Sequence, residues 1–183
     1  QDTVVLAGDT SWAMKLEDTA QDFAFLQSLP GRKLLLKGNH DYWWTTVAKM
    51  ERYLAQSGFD SLHILHNNSY PAEGVNLCGT RSWLFDAGQP HDEKVMNREL
   101  GRLRLSLKSA GPGERGAFLH SPPVYPGAQA PEVVRILQEY GVRRCYYGHL
   151  HGASIRFAVQ GEMEGIYYKL ISADGLGFTP YKI

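Results

Sequence analysis

Four short polar clusters contain the residue types from which a metal centre can be built. Each cluster directly follows an apolar run of strand length, and the four are Gly8-Asp9, Gly38-Asn39-His40-Asp41, His120 and Gly148-His149-Leu150-His151. Apart from His40 and Asp41, they offer one carboxylate, one amide oxygen and three imidazoles. Such a ligand set suits Mn, Fe or Zn better than Ca or a thiolate-bound metal. The clusters together therefore predict a metal site.

Each cluster also has an ordinary structural explanation when it is taken alone. Gly8-Asp9 is a common turn sequence, and Asn39 favours turns as well. A single histidine such as His120 is usually a core or surface residue. His149 and His151 project to the same side only if their segment is extended. The metal prediction thus depends on the combination of clusters.

The elements that must position these clusters alternate between strand-like and helical patterns, which is typical of an α/β fold. Strands are expected at 3–7, 33–37, 62–65, 75–79, 117–120 and 144–147, and helices near 16–29, 47–58, 92–110 and 131–141. Segments 155–159 and 166–171 alternate like an antiparallel pair. Functional sites of α/β sheets form at the carboxyl ends of strands, and all four clusters follow strands.

Composition limits the classes of protein to consider. The 183 residues contain 19 Lys and Arg against 19 Asp and Glu, so specific nucleic-acid binding is not predicted. No apolar run approaches the roughly 20 residues of a membrane span. Cys78 and Cys145 are far apart and without a CxxC motif, which favours reduced thiols in a cytoplasmic protein. We expect a single domain over residues 1–183, and the oligomeric state stays open.

The order of the clusters resembles the calcineurin-like metallophosphoesterase superfamily, whose pattern is DxH, GDxx, GNH(D/E), a lone H and GHxH. Four of these five blocks are present in order across most of the chain. The longer sequences Gly8-Asp9-Thr10-Ser11-Trp12 and Lys37-Gly38-Asn39-His40-Asp41-Tyr42-Trp43-Trp44 look like those of a bacterial group of phosphoesterases. The resemblance implies a β-sandwich of mixed sheets flanked by helices, in αββα layers.

The DxH block of the family has no counterpart before Thr3. In the family this block lies on the first strand, and its Asp and His complete one of two metal sites. We therefore expect a chain that lacks its first strand and its DxH motif, in which only one metal site is nearly complete.

The resemblance implies a role for each matching residue. Asp9 would bridge two metal ions. Asn39, His120 and His149 would complete the ligands of one metal site, and His151 would be a ligand at the other. His40 would protonate the leaving oxygen, and Asp41 beside it would orient its ring. Two cations, which would be Mn, Fe or Zn, would hold a hydroxide and direct it in line at phosphorus.

The function implied is hydrolysis of phosphate mono- or diesters, and the substrate would be a small phosphorylated molecule such as a nucleotide. Protein phosphatases of the superfamily show GDxVDRG and RGNHE instead, so phosphoprotein substrates are less favoured. Two alternatives stay open. One is a non-catalytic metal-binding or scaffold protein of the same fold, and the other is a protein that uses a single metal ion.

Two further groups of residues lie next to these motifs. Arg81, after a predicted strand, could bind a substrate phosphate through its planar guanidinium or form a surface ion pair, and Asn39 could also touch substrate. Trp12, Trp43 and Trp44 could line a pocket or stack on a ring, although core packing explains at least two of them more simply.

Overall fold

We describe the fold from a computed structural model, which covers residues 2–83, 90–125 and 128–183. The strands are β1 (Thr3–Leu6), β2 (Arg32–Leu35), β3 (Leu62–Ile64), β4 (Ser69–Ala72), β5 (Val75–Thr80), β6 (Glu114–Leu119), β7 (Val124–Tyr125), β8 (Ala128–Gln129), β9 (Arg144–Tyr147), β10 (Gly161–Met163) and β11 (Ile166–Leu170). The α-helices are α1 (Ala20–Ser28), α2 (Val47–Gln56), α3 (Pro90–Ser109) and α4 (Pro131–Glu139). Short 3₁₀ helices span Leu16–Thr19 and Gly152–Phe157.

The strands form two main sheets. The first is parallel with the order β1-β2-β3, and the second is mixed with the order β10-β11-β9-β6-β5-β4. In the second sheet the pairs β5-β6, β6-β9 and β9-β11 are parallel, whereas the outer strands β4 and β10 pair antiparallel. A separate hairpin joins β7 and β8. Because the central pairs are parallel, their carboxyl ends meet at one edge of each sheet.

Three clusters of buried apolar side chains hold the sheets and helices together. Alternate residues of a strand point to opposite faces of its sheet, so Phe118 and Tyr146 pack between the two sheets with Leu34. Their neighbours in sequence, such as Ala117 and Cys145, face the outer core under α3 and α4. A third cluster packs α1 and α2 on the first sheet. The order helix, sheet, sheet, helix confirms the predicted αββα sandwich.

Local chemistry explains where the helices begin and end. The Thr46 hydroxyl accepts a hydrogen bond from the Lys49 N–H at 3.3 Å and so caps α2. Pro131 occupies the first turn of α4, where its missing N–H costs nothing. Leu29, directly after α1, is extended because Pro30 disfavours a helical conformation in the residue before it.

The predicted strand at 155–159 is wrong. The Ser154 N–H donates to the His151 carbonyl and the Ser154 hydroxyl accepts from the His151 N–H, which starts the 3₁₀ helix Gly152–Phe157. The antiparallel partner of β11 is instead β10. These local hydrogen bonds override the alternating side chains.

Both cysteines are free and buried, and burial raises the pKa of the Cys78 thiol to about 11. Among the helices of the described ranges, none is both long and apolar enough to cross a membrane.

Candidate metal centre

Two glycines allow the loops after β1 and β2 to touch. Gly8 has a φ of +96°, and a Cβ on it would lie 2.6 Å from the His120 ring and 2.7 Å from the Gly38 Cα. A Cβ on Gly38 would lie only 2.0 Å from an oxygen of Asp9. Both positions therefore need glycine, since any side chain would separate the loops that carry Asp9 and Asn39.

Asp41 fixes these loops from within. Its side chain is only 2% exposed. The two carboxylate oxygens accept hydrogen bonds from four backbone N–H groups and one indole N–H, those of Asp9, Thr10, Ser11, Gly38 and Trp43. The prediction that Asp41 orients the His40 ring needs correction, because these five donors occupy its oxygens.

The carboxylate that contacts His40 is that of Asp9. The His40 Nδ1 lies 3.0 Å from one Asp9 oxygen, and the His40 backbone N–H donates to the other at 2.8 Å. His40, the predicted general acid, therefore hydrogen-bonds to Asp9, the predicted bridging ligand. Burial would raise the pKa of Asp9, but His120 and the hydrogen bonds from His40 bring that pKa below its usual value.

Three further predicted ligands converge on Asp9. The Asn39 Oδ1 lies 2.6 Å from the His120 Nε2 and 2.9 Å from the His149 Nδ1. The two imidazole nitrogens are 3.2 Å apart, and the His120 Nε2 is 3.5 Å from an Asp9 oxygen. Ligands at about 2.0–2.2 Å from one cation lie roughly 2.8–3.6 Å apart, so three of these four separations match that range and the 2.6 Å separation is shorter.

The protonation of His120 shows why a cation fits among these atoms. Burial lowers the pKa of His120, so its ring is neutral near pH 7 and has a single N–H. That N–H is on Nδ1 and donates to the Ala7 carbonyl at 2.8 Å. The lone pair of Nε2 then faces the Asn39 Oδ1, and two acceptors at 2.6 Å repel unless a positive charge lies between them.

His149 has the same neutral character, because burial lowers its pKa to about 4. Neutral imidazole is the form that binds metal ions. Within the described ranges, no group of three or more His, Cys, Asp or Glu side chains is arranged so that it could hold a metal ion. The candidate ligand atoms instead lie 2.6–3.5 Å from one another. Their chemistry is that of metal ligands, because carboxylate and amide oxygens and neutral imidazoles suit a divalent transition-metal ion.

Strain marks two of the predicted ligands. Asp9 and His149 have φ values of 54° and 69°, in the left-handed region that residues other than glycine rarely adopt. Such residues cost on the order of 1–3 kcal/mol and cluster at functional sites. Both side chains approach the His120 Nε2, at 3.5 Å from Asp9 and 3.2 Å from His149.

His151 lies apart from the other ligands, at the exposed rim. Its Nδ1 is 2.8 Å from an Asp174 oxygen, and the Gly152 N–H donates to the second Asp174 oxygen. That backbone hydrogen bond is the main cause of the lowered Asp174 pKa, about 2. This contact uses Nδ1 and does not involve the Nε2 of His151. Sequence reasoning missed Asp174, since Ala173-Asp174-Gly175 matches none of the motif blocks.

Arg81 lies next to the strand that carries His120. Its carbonyl accepts the Ser121 N–H at 3.0 Å, and its guanidinium lies 4.6 Å from the centre of the Trp83 ring. Burial and then Arg81 lower the pKa of Lys37, which shows that the two cations are neighbours. Lys37 and Arg81 thus share their surroundings with the buried carboxylate Glu99, which acts on the pKa of both.

Comparisons with known proteins agree with this architecture. A crystal structure that is 11% identical matches with a TM-score of 0.55, over 84% of this chain and 62% of its own chain. The crystal structure of TT1561 of Thermus thermophilus is 15% identical and matches with a TM-score of 0.53, over 91% of this chain and 75% of its own. This chain thus spans less than two thirds of the first structure. Such likeness shows a shared fold.

No curated protein matches the sequence. The model of the calcineurin-like phosphoesterase family matches residues 1–153, which include every candidate ligand but not Asp174. On this match, the chain belongs to the calcineurin-like phosphoesterase family.

Proposed function

We propose that this protein hydrolyses phosphate mono- or diesters with metal ions held by Asp9, Asn39, His120, His149 and His151. The family is one of metal-dependent phosphoester hydrolases. The observation that carries the proposal is the convergence of four ligand atoms, with separations of 2.6–3.5 Å, beside the ring of His40. Mn, Fe and Zn are the metals that this oxygen and nitrogen set suits.

A bound divalent cation supplies Lewis-acid chemistry, which polarises the phosphoryl group and makes water a stronger nucleophile. The protein's own residues do the rest. Asp9 stays ionised and binds on one side, while the Ala7 carbonyl holds the tautomer that His120 needs as a ligand. Arg81 neutralises charge on the substrate phosphate.

His40 is the proposed general acid. Its side chain is 38% exposed, so a leaving group can reach it. The contact between Nδ1 and Asp9 fixes the ring. The Nε2 atom, which lies 3.2 Å from the Asn39 Nδ2, would give its proton to the leaving oxygen. This role does not require Asp41, whose oxygens accept other hydrogen bonds.

The first test measures hydrolysis of bis(p-nitrophenyl) phosphate and p-nitrophenyl phosphate with Mn²⁺. We expect a chelator to abolish turnover and added Mn²⁺ to restore it. Asp9→Asn should lower turnover at least about 100-fold, because the charged ligand is lost. The exposed carboxylate Asp60 provides the control, and Asp60→Asn should retain turnover. The ratio of the two substrates distinguishes diester from monoester preference.

Two results would oppose this function. Hydrolysis that persists in chelator would exclude the metal-dependent mechanism. Bound Mn²⁺ without turnover on any ester would support the non-catalytic metal-binding or scaffold alternative. Counting the bound ions also separates a single-metal protein from a dinuclear one.

Asp174 gives a second prediction, on metal affinity. A carboxylate that accepts the second N–H of a ligand histidine fixes the ring, and its loss costs about 10–100-fold in affinity or activity. We expect Asp174→Asn to weaken Mn²⁺ binding, measured by calorimetric titration, by that factor at the site served by His151. Glu162→Gln, an exposed change on β10, is the control. An unchanged affinity would show that His151 needs no such support or binds no metal.

A further inference from the structure

Two exposed aromatic side chains flank the proposed general acid. The Trp12 indole stacks on the His40 imidazole, with ring centres 5.0 Å apart and planes inclined by 11°. Tyr42 meets the same imidazole edge to face at 6.1 Å. Trp12 is 74% exposed and Tyr42 is 54% exposed. These rings are therefore open to solvent immediately beside the proton donor.

The other two tryptophans of these motifs have a different role. Trp43 is 2% exposed and meets Phe23 edge to face in the core below the first sheet. Trp44 is half-buried and packs against Trp43. Core packing explains both of them, but it does not explain Trp12.

The backbone holds Trp12 rigidly on both sides. The Ser11 N–H donates to Asp41, and the Ser11 hydroxyl donates to Asp22 and accepts the Ala13 N–H. Tyr42 is fixed in a similar way, because it lies between the buried residues Asp41 and Trp43. Each exposed ring is thus presented from a fixed loop, which lowers the entropy lost when a ligand binds.

The position of His40 determines what these rings can contact. A general acid must lie within hydrogen-bond distance of the oxygen that it protonates. The remainder of the leaving group then lies against the rings that flank His40. A planar group attached to that oxygen can stack on the open face of Trp12, as bases stack on exposed aromatic side chains.

We propose that Trp12 and Tyr42 form the binding surface for the leaving group, and that this group carries a planar ring, as in a nucleoside or an aryl ester. The inference rests on the proposed function and extends it to the substrate class. Stacking on an aromatic side chain is tolerant of the identity of the base. The surface therefore selects for a ring and not for one particular base.

The test compares ligands that differ only by the ring. Adenosine 5′-monophosphate and ribose 5-phosphate share the phosphate and the 5′-oxygen, and phenylphosphonate with methylphosphonate forms the aryl pair. We expect the Mn²⁺-loaded protein to bind the ring-bearing member about 10- to 100-fold more tightly, measured by calorimetry. A preference for the nucleotide alone, or for the phosphonate alone, identifies which kind of ring the surface takes.

Variants then assign the preference to the aromatic surface. Trp12→Ala should reduce the ratio of affinities to about twofold or less, whereas Trp12→Phe should keep most of it because a ring remains. Phe25→Ala removes an aromatic ring that is 64% exposed on α1, and it should leave the ratio unchanged. Equal binding of both members of each pair by the wild-type protein would overturn the inference. An unchanged ratio of affinities in the Trp12→Ala protein and in the Tyr42→Ala protein would overturn the inference as well.

Binding and hydrolysis fail separately in this design. Ring-dependent binding without hydrolysis of any ester would contradict the proposed function and leave the aromatic surface supported. Metal-dependent hydrolysis with no preference for rings would contradict the aromatic surface and leave the proposed function supported.

Discussion

His40→Asn is expected to lower turnover by about 10²–10⁴-fold on substrates with an alkyl leaving group, because the proton donor is lost. The same change should cost much less on p-nitrophenyl esters, whose acidic leaving group departs without a proton. Asparagine keeps a polar side chain near Asp9, so Mn²⁺ affinity should stay within a few-fold. The measurement is kcat on a nucleoside or glycerol ester and on a p-nitrophenyl ester, with a metal titration of each protein.

His63→Asn is the matched control for this experiment. His63 is half-buried beside Tyr70 and has no place among the candidate ligands. The His63→Asn protein should retain turnover on both substrates. If His40→Asn reduced both activities equally and also weakened Mn²⁺ binding, His40 would act as a ligand or as a support for Asp9. A general acid predicts that the loss depends on the leaving group.

Asp41→Asn is expected to destabilise the fold by about 3–5 kcal/mol. One Asp41 oxygen accepts the N–H groups of Asp9 and Gly38, and the other accepts three further N–H groups. An amide replaces one oxygen with an NH₂ donor. In either orientation of the amide, its NH₂ group faces at least two of these N–H groups. Those N–H groups then lose their hydrogen-bond acceptor.

Urea unfolding in the presence of chelator measures this effect without a contribution from metal binding. The urea concentration at the unfolding midpoint should fall, while the slope of the unfolding free energy against urea concentration stays the same, as expected for a change in stability alone. Asp60→Asn, an exposed change, should alter the free energy of unfolding by less than about 0.5 kcal/mol. A stable Asp41→Asn protein with reduced turnover would instead support the original prediction that Asp41 acts on His40.

Much of the architecture could be predicted because local sequence determines it. Strand β9 was predicted with its observed bounds from an apolar run, and the polar clusters were predicted at strand ends. Strand β4 was missed because its four residues include Pro71, which a sheet tolerates at an edge. The 3₁₀ helix after His151 was missed because hydrogen bonds of Ser154 outweigh the alternating pattern.

The details of the candidate site depend on residues that are distant in sequence. The partners of Asp41 include N–H groups 30 to 32 residues away, so its neighbour His40 gave a misleading indication of its role. Asp174 is 23 residues beyond His151, and its sequence neighbours carry no motif. Motifs identify which residue types converge, but tertiary packing decides which atom contacts which.

The long separations within the metal centre also bear on how the molecule folds. Asn39 and His149 are 110 residues apart, and Ala7 and His120 are 113 residues apart. Each of these contacts joins the first sheet to the second, and closing such long loops costs entropy before any contact is gained. A folding intermediate with only one sheet would therefore contain only two or three of the five proposed ligands. Binding activity can be acquired only when the two sheets have docked, which makes metal uptake a reporter of the completed fold.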